Sequence, residues 1–131
     1  MKWTVFHIDD DSRFNAIIRN SITTEPFPMT SLDLLTNYTK VVTYEFNALN
    51  QSAPDKMNAL LWRLTQNIDS SWLREEYPNI TESIELFSES CDSRSSMVGD
   101  IFMDRKERVW YVVKPVGFAP IYWVDIPEDS V

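Results

Sequence analysis

The sequence predicts an α+β domain, with helices packed on a small, mostly antiparallel sheet that ends in a C-terminal β-meander. Three observations predict it. Residues 3–8 (Trp-Thr-Val-Phe-His-Ile) are β-branched and aromatic, as a strand requires. Apolar residues recur at helical spacing at Met57, Leu60, Leu61, Leu64 and Ile68. Three strand-like segments, 97–103, 108–114 and 117–124, then follow with short turns between them.

Each element has its own reason. In the first strand Thr4, Phe6 and Ile8 share one face, while Trp3, Val5 and His7 share the other. Asp9-Asp10-Asp11-Ser12 then offers an N-cap and negative charge for a helix start. Phe14, Ile17, Ile18 and Ile22 give that helix an apolar face, and Pro26 and Pro28 end it. Residues 30–37 predict a short helix capped by Thr30 or Ser31. Residues 40–46 alternate as a strand, with Val42, Tyr44 and Phe46 on one face. Pro54 suits the first turn of the next helix, which carries the apolar stripe and should end near Asn67. Residues 69–82 are polar and read as loop, pinned by Trp72 and Tyr77. Residues 83–88 predict a further strand. A turn at Asp104-Arg105-Lys106-Glu107 separates two of the last three strands. No linker is visible, so residues 1–131 are expected to form one domain, with an acidic end at 125–131 that frays.

The bulk numbers exclude several function classes. The chain has 131 residues, two glycines and one cysteine. A P-loop or a Rossmann turn needs several closely spaced glycines, so neither can be built. The single Cys91 excludes an internal disulfide and a cysteine-cluster metal site. It fits a reducing compartment. No long apolar run reads as a signal peptide or a membrane span, so a cytoplasmic protein without membrane contact is expected. Twelve basic against 20 acidic residues give a net charge of −8. The one basic cluster is Arg105, Lys106 and Arg108, which disfavours free nucleic acid and makes a basic protein partner electrostatically easier.

Few residues suggest chemistry. His7 is the only histidine, so nucleophilic catalysis through histidine would run through it. Asp9, Asp10 and Asp11 suit helix capping better than a cation site. Glu75, Glu76, Glu82, Glu85 and Glu89 make either a solvated acidic face or a mimic of a phosphate backbone. Trp62, Trp72, Trp110, Tyr111 and Trp123 lack interleaved basic residues, which favours core packing or partner contact over base stacking. No cofactor and no metal are expected.

The most specific stretch is Arg94-Ser95-Ser96-Met97-Val98-Gly99-Asp100, followed by Val109-Trp110-Tyr111-Val112-Val113 and by Val116-Gly117-Phe118-Ala119-Pro120-Ile121. Gly99 before Asp100 marks a turn and Gly117 a bulge or kink, so positive φ is expected at one or both. These blocks resemble the C-terminal signature of YodL-like and related small domains of phages, plasmids and conjugative elements. That pattern is approximately Arg-Ser-x-Ser-x-Gly-Asp, an apolar strand, a Tyr-x-Val strand and Gly-Phe. Residues 61–72 (Leu-Trp-Arg-Leu-Thr-Gln-Asn-Ile-Asp-Ser-Ser-Trp) resemble a Thr-x-Asn-x-Asp-x-x-Trp segment of phage-borne members, and Tyr38 to Glu45 resembles the Tyr-x-x-Val strand. The resemblance spans residues 38–122. Met97 stands where one alignment places the pattern's second serine.

The resemblance implies a phage- or mobile-element accessory protein that binds a host protein, with a link to countering host defence. The candidate binding or motif residues are Thr65, Asn67, Asp69, Trp72, Arg94, Ser95, Gly99, Asp100, Gly117 and Phe118. No catalytic residue is assigned. A second reading is a nucleic-acid-associated enzyme or modifier that uses Arg94 and Asp100 with Asn67 and Asp69. A third is a virion or assembly component. The bland reading of the same residues is an Arg94–Asp100 pair across a turn, with Asn67 and Asp69 capping a helix end.

Overall fold

The strand at the start of the chain, β1 (Lys2–Ile8), is buried on both faces from Trp3 onward, so it belongs in the interior of a sheet covered on both sides. The computed structural model describes residues 1–9, 27–47, 53–67, 72, 77–87, 94–128 and 131. Among these, β1 is followed by β2 (Phe27–Met29), α1 (Ser31–Asn37), β3 (Tyr38–Phe46), α2 (Pro54–Leu64), β4 (Thr81–Leu86), β5 (Ile101–Asp104), β6 (Val109–Val113) and β7 (Phe118–Trp123). The helix expected around residues 12–22 lies outside the described residues, as do Asp69 and Cys91.

The fold is α+β. The seven strands make one sheet in the order β2-β7-β6-β5-β1-β3-β4. The β1–β3, β1–β5, β3–β4, β5–β6 and β6–β7 pairs are antiparallel. The short β2 pairs with β7 in parallel, so the sheet is mixed. Consecutive β5, β6 and β7 are neighbours, as a meander requires, and β1 inserts between β5 and β3. A register shift between Val5 and Phe6 leaves Val41 unmatched opposite β1, a bulge that changes the face alternation of β3.

Two apolar layers lie on the two faces of the sheet. Phe6, Ile8, Met103, Trp110 and Val112 pack on one side with Leu34 of α1. Trp3, Val5, Val42, Tyr44, Phe46 and Phe102 pack on the other with Met57, Leu61 and Leu64 of α2. The sequence-predicted faces of β1 therefore hold, and so does the shared face of Val42, Tyr44 and Phe46.

The helix ends follow local chemistry. Thr30 caps α1: its hydroxyl accepts from the Asp33 amide, and the Asp33 carboxylate accepts from the Thr30 amide. Pro54 occupies the first turn of α2, where its missing N–H costs nothing. Leu64 ends α2, earlier than Asn67; beyond it the Gln66 amide donates to the Arg63 carbonyl, and the Thr65 carbonyl accepts from the Ser96 amide rather than from a further helical turn.

Two expectations are corrected. Pro28 lies within β2 rather than ending a helix; β2 is an edge strand, where a residue without an N–H is tolerated. Residues 97–100 form a turn and β5 begins only at Ile101, because the Asp100 carboxylate accepts from the Met97 amide at 2.7 Å and bends the chain. At the acidic end, Asp125 accepts from both the amide and the hydroxyl of Ser31, and the Val131 carbonyl accepts from both terminal nitrogens of Arg105.

Both glycines have positive φ, 97° at Gly99 and 77° at Gly117. The chain therefore uses its two glycines where the backbone takes a conformation that side chains disfavour. Arg108, at 54°, adopts the left-handed region in the four-residue turn between β5 and β6.

Candidate functional site

Arg94 and Asp100 form a two-armed ion pair. One guanidinium nitrogen lies 2.7 Å from Asp100 Oδ2 and the other 2.7 Å from Oδ1. Asp100 is wholly buried, whereas the Arg94 side chain keeps 24% of its surface exposed. The Ile8 amide donates to Asp100 Oδ1 at 2.9 Å, and the Ile8 carbonyl accepts from Arg94 Nη2 at 2.8 Å. The β1–β5 ladder ends at the Phe6–Ile101 pair. The Arg94–Asp100 pair thus takes over the backbone groups of Ile8 just past the end of β5. With the Met97 amide included, four donors converge on the Asp100 carboxylate. That matches about four lone-pair sites.

A second chain of bonds runs from this pair into the core. His7 Nε2 lies 3.8 Å from Asp100 Oδ2 and 3.0 Å from Ser96 Oγ. Ser96 Oγ lies 2.6 Å from Thr65 Oγ1, and the Ser96 amide donates to the Thr65 carbonyl at 3.0 Å. His7, Ser96 and Thr65 are all buried. The Ser95 hydroxyl accepts from the Asn67 amide at 2.7 Å. Asn67 Oδ1 accepts from the Trp72 amide, and the Trp72 indole N–H donates to the Arg94 carbonyl, both at 2.9 Å. The Trp72 ring meets the His7 ring edge-on at 6.0 Å. Tyr38 closes the far side by donating to the Gly99 carbonyl at 2.7 Å. Burial, and next the nearby Asp100 carboxylate, push the Tyr38 phenol well above its usual range, so it stays a donor.

Seven of the ten candidate residues therefore converge: Thr65, Asn67, Trp72, Arg94, Ser95, Gly99 and Asp100. Asp69 lies outside the described residues. Gly117 and Phe118 do not join them; they sit on the β6–β7 hairpin. Sequence reading passed over Ser96 and the part played by His7. Ser96 lies within the Arg94–Asp100 motif, but nothing local signals that its hydroxyl would bridge residues 89 and 31 positions away.

The cluster resembles a catalytic set only in its residue types. In a serine–histidine–acid relay the acid holds one ring nitrogen while the other faces the nucleophile. Here Ser96 and Asp100 both face Nε2. The Ser96 hydroxyl is also engaged by Thr65 and buried. This geometry fastens the 94–100 segment to the ends of β1 and α2, as a structural clamp does. Among the described residues no three His, Cys, Asp or Glu side chains group as metal ligands would. Nor is any helix among them long and apolar enough to cross a membrane.

A different feature is open. Between α2 and the β6–β7 hairpin lies a cleft of about 500 Å³. Trp62 and Arg63 of α2 form one wall; Lys114, Pro115, Gly117 and Phe118 form the other. Phe118 is half-buried, its ring 5.8 Å from Phe102. Val116, at the tip of the hairpin, is 88% exposed. The hairpin closes where the Lys114 amide donates to the Gly117 carbonyl at 3.0 Å. The positive φ of Gly117 makes that closure possible. A second apolar surface lies around α1, where Leu32, Leu35, Val124 and Ile126 are exposed.

Comparison with known proteins finds no matching protein-family model, no matching curated protein and no matching solved structure.

Proposed function

We propose that this chain is a small accessory protein that acts by binding another protein, and that it binds through the cleft between α2 and the β6–β7 hairpin. The observation that supports this reading is the cleft itself. It is an open, largely apolar groove that carries an aromatic side chain on each wall, Trp62 and Phe118, on a chain whose conspicuous polar cluster is internally saturated. Aromatic anchors in a concave surface are what protein interfaces use most. The setting proposed is that implied by the residue pattern at 94–100 and 116–121: a phage, plasmid or conjugative element whose product meets a host protein in the cytoplasm and counters host defence.

The competing reading, a nucleic-acid modifier working at Arg94 and Asp100 with Asn67, gains from their convergence. It loses more from the four donors already on Asp100, which leave no lone pair for a substrate.

The test is affinity purification of the tagged full chain from host cells, with a Trp62→Ala chain in parallel. A stoichiometric protein retained by the first and lost from the second is expected. Recovery of no stoichiometric protein, or of one indifferent to Trp62, would overturn the reading.

A further inference from the structure

The two edges of the sheet are built differently. At one edge β2 has three residues, and Pro28 at its centre lacks a backbone donor. Short strands and proline are how proteins blunt an edge against further pairing. At the other edge β4 has six residues and no proline, and among the described residues it pairs with β3 alone. A register shift at Glu82 bends its start but leaves Ser83 to Leu86 regular. The Phe87 amide donates to the Val41 carbonyl at 3.0 Å, so Leu86 and Val42 form a pair without mutual hydrogen bonds. Such pairs alternate with bonded ones along an antiparallel ladder. Ser83 and Glu85 therefore bond to β3, while the N–H and C=O groups of Ile84 and Leu86 point away from the sheet. A pocket of about 330 Å³ opens beside the same strand, lined by Tyr77, Pro78, Thr81, Glu82, Ser83 and Ile84. Leu86, at the end of the strand, is 44% exposed.

We propose that β4 is a docking surface separate from the α2 cleft, and that its occupant is an extended peptide segment that adds a further strand to the sheet. The outward groups of Ile84 and Leu86 pair with the backbone of that segment, which selects an extended chain over a helix. Residues opposite each other in a ladder carry their side chains on one face. Ile84 packs on the face that α2 covers, and so does Tyr77. The occupant's side chain opposite Ile84 therefore enters the pocket walled by Tyr77 and Pro78. The side chain opposite Leu86, two residues along, covers Leu86. Tyr77, Pro78, Ile84 and Leu86 present apolar surface, so both of these side chains are apolar. The residue between them lies on the other face, with Ser83 and Glu85, and is polar. A second copy of β4 is a poor occupant: it would bring another Glu82 and Glu85 into the same ladder, where like charges opposite each other are destabilising.

The experiment is selection from a random dodecapeptide library displayed on phage, using the immobilised full chain. Enriched peptides are synthesised and titrated by calorimetry against wild type, Leu86→Pro and Trp62→Ala, with circular dichroism confirming that each is folded. Leu86→Pro removes an outward donor and leaves the bonds to β3 in place, since an edge strand tolerates proline where the N–H faces solvent. Each peptide is also made with one N-methylated residue at a time. Hydrogen exchange of the wild-type chain is followed with and without peptide. That measurement uses no variant, so it decides the matter even should Leu86→Pro fail to fold.

Wild type is expected to enrich peptides with Val, Ile, Tyr or Phe at alternate positions. Leu86→Pro should bind them about tenfold more weakly, the scale of one lost hydrogen bond. Trp62→Ala should bind them as wild type does. N-methylation should abolish binding at every second residue only, and bound peptide should slow exchange at the Ile84 and Leu86 amides. Peptides lost with Trp62→Ala and indifferent to Leu86→Pro would overturn the β4 edge while leaving the cleft as a binding surface. An N-methylation pattern without the two-residue period would overturn a strand as the occupant. Enrichment of no peptide, or unchanged exchange at Ile84 and Leu86, would overturn the proposal outright. A dimer in light scattering that Leu86→Pro dissolves would assign the edge to a second copy of this chain and overturn the separate peptide.

Discussion

Asp100 and Arg94 meet through two contacts of 2.7 Å, and between them they hold both backbone polar groups of Ile8, 92 and 86 residues away in sequence. The pair therefore acts as the last rung of the β1–β5 ladder, made of side chains rather than of a strand. A buried carboxylate of this kind is stable only while all its donors are present.

Asp100→Ala should accordingly cost much of the protein's stability. Breaking a buried ion pair costs about 3–5 kcal/mol, because the surviving charge and the abandoned amides lose their partners. Arg94→Ala should cost a comparable amount, since it leaves the wholly buried Asp100 charge with only its two amide donors. Urea unfolding reads both, and hydrogen exchange at the Ile8 amide should quicken in Asp100→Ala. A loss below about 1 kcal/mol for Asp100→Ala would show that the clamp is ornamental.

Thr65, Ser96 and His7 form one buried chain of bonds, so their substitutions should not add. Thr65→Val and Ser96→Ala should each cost about 1–3 kcal/mol by stranding a buried polar neighbour. The double variant should fall short of the sum by about 0.5–3 kcal/mol, the range found for residues in one network. Additive costs in a double-mutant cycle would mean that the 2.6 Å contact between the two hydroxyls carries no energy.

Gly117 isolates a backbone effect from a packing effect. Its φ is 77°, and a Cβ placed there would meet nothing within 4 Å. Gly117→Ala should therefore cost only the left-handed conformation, about 1–2 kcal/mol. Gly117→Asn should cost less, because asparagine visits that region more readily. Thermal unfolding of the two variants beside wild type measures the difference. Equal stability of all three would mean that the hairpin turn takes another shape in solution.

Three tyrosines predict behaviour in alkali. Burial raises the phenols of Tyr38, Tyr44 and Tyr111 above the ordinary value of 10.0. The folded chain thus binds these protons more tightly than the unfolded chain. The sign follows: this stabilisation is whole below about pH 10 and is lost as pH rises from there through each folded value. Unfolding followed against pH should show stability falling above about pH 10, with tyrosinate absorbance from the buried Tyr38 and Tyr44 delayed until unfolding. Tyrosinate from all the tyrosines at ordinary pH, in a chain still folded, would contradict their burial.

Most elements were legible in the sequence because each rests on chemistry within a few residues. The alternation of Val42, Tyr44 and Phe46, the Met57–Leu61–Leu64 stripe, the Thr30 cap and Pro54 all act locally. The two glycines were legible for the same reason, since a positive φ is a local demand. Where the reading slipped, a hydrogen bond outside the expected element had intervened or an edge had relaxed a rule. The Ser96 amide engaged the Thr65 carbonyl where α2 ends, Asp100 delayed β5, and Pro28 was admitted by an edge strand.

The candidate site was half legible. The residue types at 65–72 and 94–100 suggested two polar motifs, and they do meet. Their meaning depended on Ser96, His7 and Ile8, whose bonds span 31 to 92 residues. The cleft was not legible at all, because it is a gap between α2 and a hairpin about fifty residues further along the chain.

The sequence by itself therefore determined the secondary elements, the buried faces and the two turns that need glycine, because short-range sterics and apolar periodicity fix them. Only the tertiary structure decided that β1 lies between β5 and β3, that Asp100 is saturated rather than available, and that Arg63 and Lys114 share one groove. Those facts depend on which distant segments close on one another. Loop closure carries an entropy cost that varies only slowly with length, so no local pattern announces which closure wins.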